Sequence, residues 1–467
     1  MIIKQLRQFP LIYSRPAHIS KNRQRISVFS GNFHQKILSL AYFVCITKLY
    51  LNKLKIHMLQ KNLYCLLIIL FSVYLPACSN NENTVKNNSD TSSLPTVETE
   101  KPNSNYKPAF TGQTRIAGVK TTTPYNVEKI AEGITSPYAV VAMPDGRLML
   151  TSKSGYMEIH DAAGKLIKKI TGFPKVVFAG QGGLLDVAFD PGFSNNKTIY
   201  FTFSESYEPG NLTAVAKATL NEAAGTVEHT KVIFRATPAL KSNLHFGGRL
   251  VFDKDGNLFV STGERSILEG RAQAQKLEAG LGKIFKITTD GKPAPGNPFI
   301  NTAGAIPQIY SYGHRNPQGL ELNPSTGELW EAEFGPRGGD EINLIKAGKN
   351  YGWPTITYGI EYSGEKVGDS IQQKPGLEQP VYYWDPVISP SGIAFYNGNA
   401  IPEWKNNLFV ASLSGQHVDR LVIKNNKVVG EERLLVDKKE RFRDVAYYNE
   451  KLYALSDGGN LYCISKK

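Results

Sequence analysis

Cysteine is nearly absent from the body of this 467-residue chain: of Cys45, Cys65, Cys78 and Cys463, only the last lies beyond residue 100. That excludes a disulfide framework there, and with 8 histidines forming no Cys–His cluster it excludes a structural zinc site as well. Acidic residues are missing from residues 1–77, which hold eleven Lys and Arg. The whole chain is +13, so 13 − 11 leaves the remainder at +2. No basic stripe runs through that remainder, which argues against a nucleic-acid partner. No apolar run reaches the roughly 20 residues of a spanning helix. Few stretches carry a helical apolar period, whereas 42 Gly and 26 Pro supply many turns, and this points away from an α fold.

What is present starts at Met58. Lys61, the apolar stretch Leu63–Leu75 and the small residues before Cys78 have the layout of a signal peptide. Leu75-Pro76-Ala77-Cys78 resembles a bacterial lipobox, so residues 58–77 are read as a lipoprotein signal and Cys78 as the lipidated residue. An uncleaved anchor is the alternative. The expectation is an exported bacterial lipoprotein, membrane-anchored in the periplasm or at the cell surface. Residues 1–57 precede this complete signal and are read as an upstream over-extension of the reading frame. Residues 78–120, polar and poor in large apolar side chains, are expected to be a flexible tether.

From residue 121 to 467 one pattern recurs: a polar turn with Gly, Asn or Asp, then an apolar strand. Its copies fall at 144–152, 195–204, 253–263, 323–335, 402–412 and 449–458. Several are followed by a second short strand, as in GYMEIHD, GKIFKIT, DRLVIKN and GNLYCIS. Six such units predict an all-β, six-bladed β-propeller of four-stranded antiparallel blades, an arrangement that leaves few strand edges open. A pair of β-sandwiches and a β-helix are the competing folds.

Polar residues concentrate in loops that a blade does not require. Gln181 lies in a Gly-rich loop, Gly180–Pro191, where a ligand could approach the backbone. His245, in NLHFGGRL, is suited to accept a proton, and Glu264 could hold its tautomer. Arg315, in SYGHRNPQGL, could grip a carboxylate or a quinone oxygen, or cap a blade. Glu333–Asn343 and Gly348–Pro354 combine carboxylates with turn carbonyls, a donor set for a hard cation such as calcium, although a solvated acidic turn looks alike. Arg441 and Arg443 point the same way from an extended segment and suit an anionic ligand.

The order and wording of HFGGRL, GHRNPQGL and the FGP, DEIN and NYGWP run resemble the quinoprotein glucose and aldose sugar dehydrogenases over about residues 125–465. The resemblance implies oxidation of an aldose by pyrroloquinoline quinone held by Ca²⁺, with electrons passed on to an external quinone or small redox protein. It implies that His245 takes the proton of the anomeric hydroxyl, that Glu264 orients it, and that Arg315 adjoins the reacting quinone oxygen. Gln181, Tyr362, Pro390, Ser391, Gly392, Leu413, Ser414, Gly415, Arg441 and Arg443 fall where the family lines the cofactor pocket. The carbonyls of Gly335 and Pro336 match the ligands of the cofactor's calcium, and Glu341 and Tyr351 match a further, structural calcium site. One departure stands out: Ser414 occupies a position where many relatives have a lysine. A calcium-dependent lactonase and a non-catalytic cell-surface binding propeller are the alternative functions.

Overall fold

The computed structural model describes residues 94–467; the expected over-extension, signal peptide and Cys78 lie outside them. Among the described residues the strands form six antiparallel blades in chain order. Their innermost strands are Pro137–Ala142, Leu184–Phe189, Gly247–Phe252, Pro317–Leu322, Pro390–Tyr396 and Phe442–Tyr448, counted here as blades 1 to 6. These six strands neighbour one another around a closed ring. The ring is sealed by Tyr125–Ala131, which pairs with Leu461–Lys466 as the outer strand of blade 6. Beginning and end of the domain thus share one sheet.

Each copy of the repeated pattern is the turn and second strand of one blade. The turn is built by a short polar side chain: Asp253 Oδ1 accepts from the amides of Asp255 at 2.9 Å and Asn257 at 2.8 Å, and Asn323 Oδ1 accepts from Ser325 at 2.9 Å. The strand after it is apolar on both faces because both faces are covered. In blade 3, Leu258 and Val260 pack with Tyr200 and Val215 of blade 2, while Phe259 packs with Leu320 and Leu329 of blade 4. In blade 5, Leu408 and Val410 meet Trp330 of blade 4, while Phe409 and Ala411 meet Val445 and Leu452 of blade 6. Strands buried on two sides lose the alternation of a half-exposed sheet. Each large apolar side chain buried in these seams contributes on the order of 1.5–3 kcal/mol.

The tether expectation fails from Leu94 onward. Leu94–Thr96 pairs with Ala117–Gly118, and Gly118 pairs with Glu431 on the outer strand of blade 5. The polar composition that suggested disorder is used here on half-buried charge: Glu98 accepts from Arg433 at 2.8 Å, and Thr121 donates to Glu432 at 2.6 Å. No described helix is long and apolar enough to cross a membrane.

Candidate active site

Strand direction decides where the chemistry gathers. Each inner strand begins, and each second strand ends, at the same end of the ring, because the pair is antiparallel. Gln181, His245, Arg315, Ser391 and Arg443 are at or just before inner-strand starts, whereas Glu264, Gly335 and Ser414 follow second-strand ends. All therefore lie at one end of the axis.

His245 is 5% exposed and is held in the left-handed backbone region, φ 48°. Its Nδ1 lies 2.6 Å from Glu264 Oε1, and its amide donates to Gln181 Oε1 at 2.7 Å. Gly263 permits this: a Cβ there would stand 2.3 Å from the His245 carbonyl. The segment is clamped from below by Arg265, which donates to Leu244 O and Asn211 O, contacts Ser242 O, and lies over the Phe246 ring at 3.9 Å. Burial, then the nearby Arg315 charge, lower the imidazole pKa to about 4, with Glu264 opposing the shift. The ring is neutral at pH 7. Glu264 fixes the proton on Nδ1, and Nε2 is left as the basic atom.

Arg315 is 4% exposed; its Nη1 donates to Gly335 O at 2.6 Å and Phe334 O at 3.1 Å, and its Nε is buried without a hydrogen-bond partner. Glu264 N donates to Arg315 O at 2.9 Å, which joins the base to this guanidinium through the backbone. Below lies a knot of acid. His314, Glu331 and Glu333 bring ligand atoms within 4.8 Å of one another, all buried, and Glu341 joins them through Asn343. Burial first, then the neighbouring Glu333, raise both Glu331 and Glu341 well above the ordinary carboxylate range. Glu331 Oε1, Asn343 Oδ1 and His314 Nδ1 are buried without partners. Glu333, Glu341, Gly335 and Tyr351 line a cavity of about 10 Å³ beside them.

Arg443 donates to Asp457 at 2.8 and 3.1 Å, and Arg441 at 3.2 Å, so one carboxylate serves two guanidinium groups. Lys153, at the end of blade 1's second strand, adds a third cation whose pKa is lowered by burial and then by Arg443. Ser414 Oγ meets Ser389 Oγ at 2.8 Å, and the amides of Leu413, Ser414 and Gly415 donate to Ser389 O and Ile388 O. Pro390, Ser391 and Gly392 begin blade 5's buried inner strand, with Ser391 Oγ unpartnered. Pro336 is buried in the hairpin after Gly335. The Tyr351 hydroxyl donates to Leu344 O at 2.6 Å and accepts from Lys346 N, so any metal contact from this residue falls to its main chain. Tyr362 is 70% exposed, on the turn that Arg271 ties down through Glu361.

Sequence reasoning missed Lys153, Arg265, Asn316, Ser389 and Asp457. Lys153 and Asp457 had a usable signal: each follows a copy of the repeated strand, and so falls at the end that collects the other polar loops. Arg265 had none, since its role depends on Asn211 of another blade.

Residues 134–463 match the model of the glucose/sorbosone dehydrogenase family. The aldose sugar dehydrogenase YliI of Escherichia coli K12 is 41% identical over 336 residues, covering 71% of this chain and 90% of that protein. Among solved structures, the apo form of the soluble aldose sugar dehydrogenase of E. coli matches with TM-score 0.70 and 39% identity, over 73% of this chain and all of that one. The PQQ-bound aldose sugar dehydrogenase of Streptomyces coelicolor matches with TM-score 0.62 and 28% identity, over 74% of this chain and 99% of that one.

Proposed function

Because the chain belongs to the glucose/sorbosone dehydrogenase family, we propose that it oxidises the anomeric hydroxyl of aldose sugars to the lactone with pyrroloquinoline quinone and calcium. The observation that carries this reading is the buried His245–Glu264 pair, 2.6 Å apart and neutral on the imidazole side. His245 Nε2 takes the hydroxyl proton. The imidazolium that forms is met by Glu264, whose Oε2 is buried with no other partner. The nearby Arg315 charge disfavours that cation. Gln181 fixes the backbone of the base through its amide.

When bound, the quinone supplies the two-electron acceptor and calcium the Lewis acid that polarises it. The residues present fit both groups. Arg441, Arg443 and Lys153 face a single carboxylate, Asp457, and this surplus of positive charge suits a ligand with several carboxylates. The unpartnered oxygens of Glu331 and Asn343, and the mutual repulsion that raises Glu331 and Glu341, suit a hard cation. Glu341 and the Tyr351 main chain would hold one calcium, with Glu331 and Glu333 beside it. The carbonyls of Gly335 and Pro336 would hold the calcium of the cofactor. Gly335 O accepts from Arg315 at 2.6 Å, so this carbonyl would serve the guanidinium and the calcium together. Tyr362, Pro390–Gly392 and Leu413–Gly415 border the cofactor in this reading, with Ser414 giving a hydroxyl and no charge.

The proposal extends to location. Export through residues 58–77 and lipidation of Cys78 would hold the propeller at a membrane, facing an external electron acceptor. The test is direct: purified protein given calcium and pyrroloquinoline quinone should bind the quinone, change its absorbance on addition of an aldose, and reduce a dye. Absence of both signals with every aldose tried would overturn the reading.

A further inference from the structure

The segment Leu94–Gly118 precedes the residues that match the family, 134–463, yet it reaches the hairpin that bears Gly335 and Pro336. It lies along blades 4 and 5: Tyr383 N donates to Gln113 O at 2.9 Å, and Ile116 N to the Tyr382 hydroxyl at 3.2 Å. Its apex closes on Asp385, a buried carboxylate just after blade 4's last strand. Asp385 Oδ1 accepts from Asn103 N at 2.8 Å and Asn103 Nδ2 at 2.9 Å. Oδ2 accepts from Ser104 N and Ser104 Oγ, each at 3.1 Å. Among the described residues, these are all the hydrogen bonds that carboxylate has. Arg115 adds a bond to Asp385 O at 2.6 Å.

Asp385 in turn abuts the hairpin. Gly338, with φ 90°, has no Cβ; one would stand 2.9 Å from Asp385 Oδ1. Arg337 Nε, the next residue back, donates to Asn103 Oδ1 at 3.0 Å, so a single amide spans Asp385 and the hairpin. The chain from Gly335 to Gly339 is thus held on one side by Asp340, which accepts from Gly335 N at 2.7 Å, and on the other by the segment.

We propose that residues 94–118 are a clasp that fixes the Gly335–Gly339 hairpin and through it the affinity for the metal-bound cofactor, with Asn103 and Ser104 as positioning residues. The cofactor half rests on the reading of the preceding subsection; the hairpin half does not. Removing the Asn103 amide and the Ser104 hydroxyl takes two of its four donors from this buried carboxylate and leaves only the two backbone amides, so it shifts against Gly338, the surface it touches. Outer groups that orient ligand-bearing segments commonly change affinity about 10- to 100-fold.

The experiment compares the full chain with Asn103→Ala/Ser104→Ala, and with Ser104→Thr, which keeps the hydroxyl. Amide hydrogen exchange across residues 334–340 is read first, with the blade 1 strand Leu148–Ser152 as internal reference. Calcium-dependent titration with pyrroloquinoline quinone follows. The double variant is expected to exchange faster at the hairpin alone and to bind quinone about 10- to 100-fold more weakly. At saturating quinone its kcat should be unchanged, and Ser104→Thr should behave as the parent chain. Hairpin exchange equal to the parent's, or a rise at the reference strand as large as at the hairpin, overturns the clasp. If the parent chain itself binds no quinone, the functional reading falls and the exchange result still decides the clasp.

Discussion

The two ends of the propeller axis are made from the same six inner strands and could hardly be treated more differently. At the end where those strands finish, tight turns satisfy their own polar groups, as at Asp253 and Asn323, and the axis opens into a cavity of about 570 Å³. Its walls are mostly apolar, including Val187, Phe189, Val251 and Phe395. Arg249, over the Tyr138 ring and close to Asp186 and Asp444, forms its floor. At the end where the strands begin, the enclosed space beside Arg315 and Glu333 is only about 10 Å³. There the backbone is in the left-handed region at His245, Arg265, Ser266 and Ser389, and Glu264, His314, Arg315, Asn316 and Ser391 bury polar atoms without partners. Left-handed backbone occurs at both ends, as at Lys197, Asn406, Asn449 and Glu450 in the turns of the other. It is therefore the cluster of unmatched buried polar atoms that sets this end apart; a fold keeps such costs where something else depends on them.

If that contrast is right, damage should be unequal at the two ends. His245→Ala is expected to lower turnover with aldose by on the order of 10²–10⁴-fold while quinone binding persists, read by dye reduction and by absorbance titration. Glu264→Gln keeps the base and disturbs its tautomer; a loss on the order of 100-fold is expected, the lower end of what a positioned base contributes. Calcium at about 100 times its Kd should stabilise the parent chain by about 2.7 kcal/mol in thermal unfolding. Glu331→Gln should shrink that gain and raise the stability of the calcium-free protein, since it removes one of the repelling carboxylates.

The pH dependence sharpens the same point. His245 ordinarily titrates near 6.5 but is lowered to about 4 in the fold. As pH falls from 6.5 to 4 the unfolded chain binds this proton and the folded one does not, so stability is lost across that window. The difference between parent and His245→Ala should shift by roughly 3 kcal/mol toward the variant between pH 7 and pH 4. Only the difference isolates the imidazole: burial raises Asp340 to about 7 and Asp186 to about 6, and those groups favour the folded state in acid. At the other end, Phe189→Leu should cost less than about 1.5 kcal/mol and leave kcat/KM unchanged, measured in the same assays. A large loss of turnover from that substitution would erase the distinction between the ends.

Much of this was legible in one chain. The six copies of turn and strand were countable because every blade needs the same Asx turn and the same doubly buried second strand. His245, Glu264 and Arg315 stood out by residue type in their loops and took their expected roles from the family resemblance. What stayed hidden depended on distant partners. Arg265 reads as an ordinary surface charge until Asn211 and Ser242 come to it, and Lys153 is one lysine among many until Arg443 and Asp457 lie beside it. The clearest failure was the polar stretch after residue 93, where composition argued for disorder. Composition counts the apolar surface a segment can bury; it does not count charges elsewhere that need partners, such as the buried Asp385 carboxylate that takes donors from Asn103 and the half-buried Arg433 that takes an acceptor from Glu98.

Local sequence therefore determined the class of fold, the number of blades and the types of group available for chemistry, since turns, strand patterning and residue chemistry act over a few neighbours. Only the closed ring decided which of those groups meet. Antiparallel pairing carries every strand start and hairpin tip of one parity to the same end, and closure by Tyr125–Ala131 fixes their spacing around the axis. Contacts across hundreds of residues obey that geometry, and no short stretch of sequence contains it.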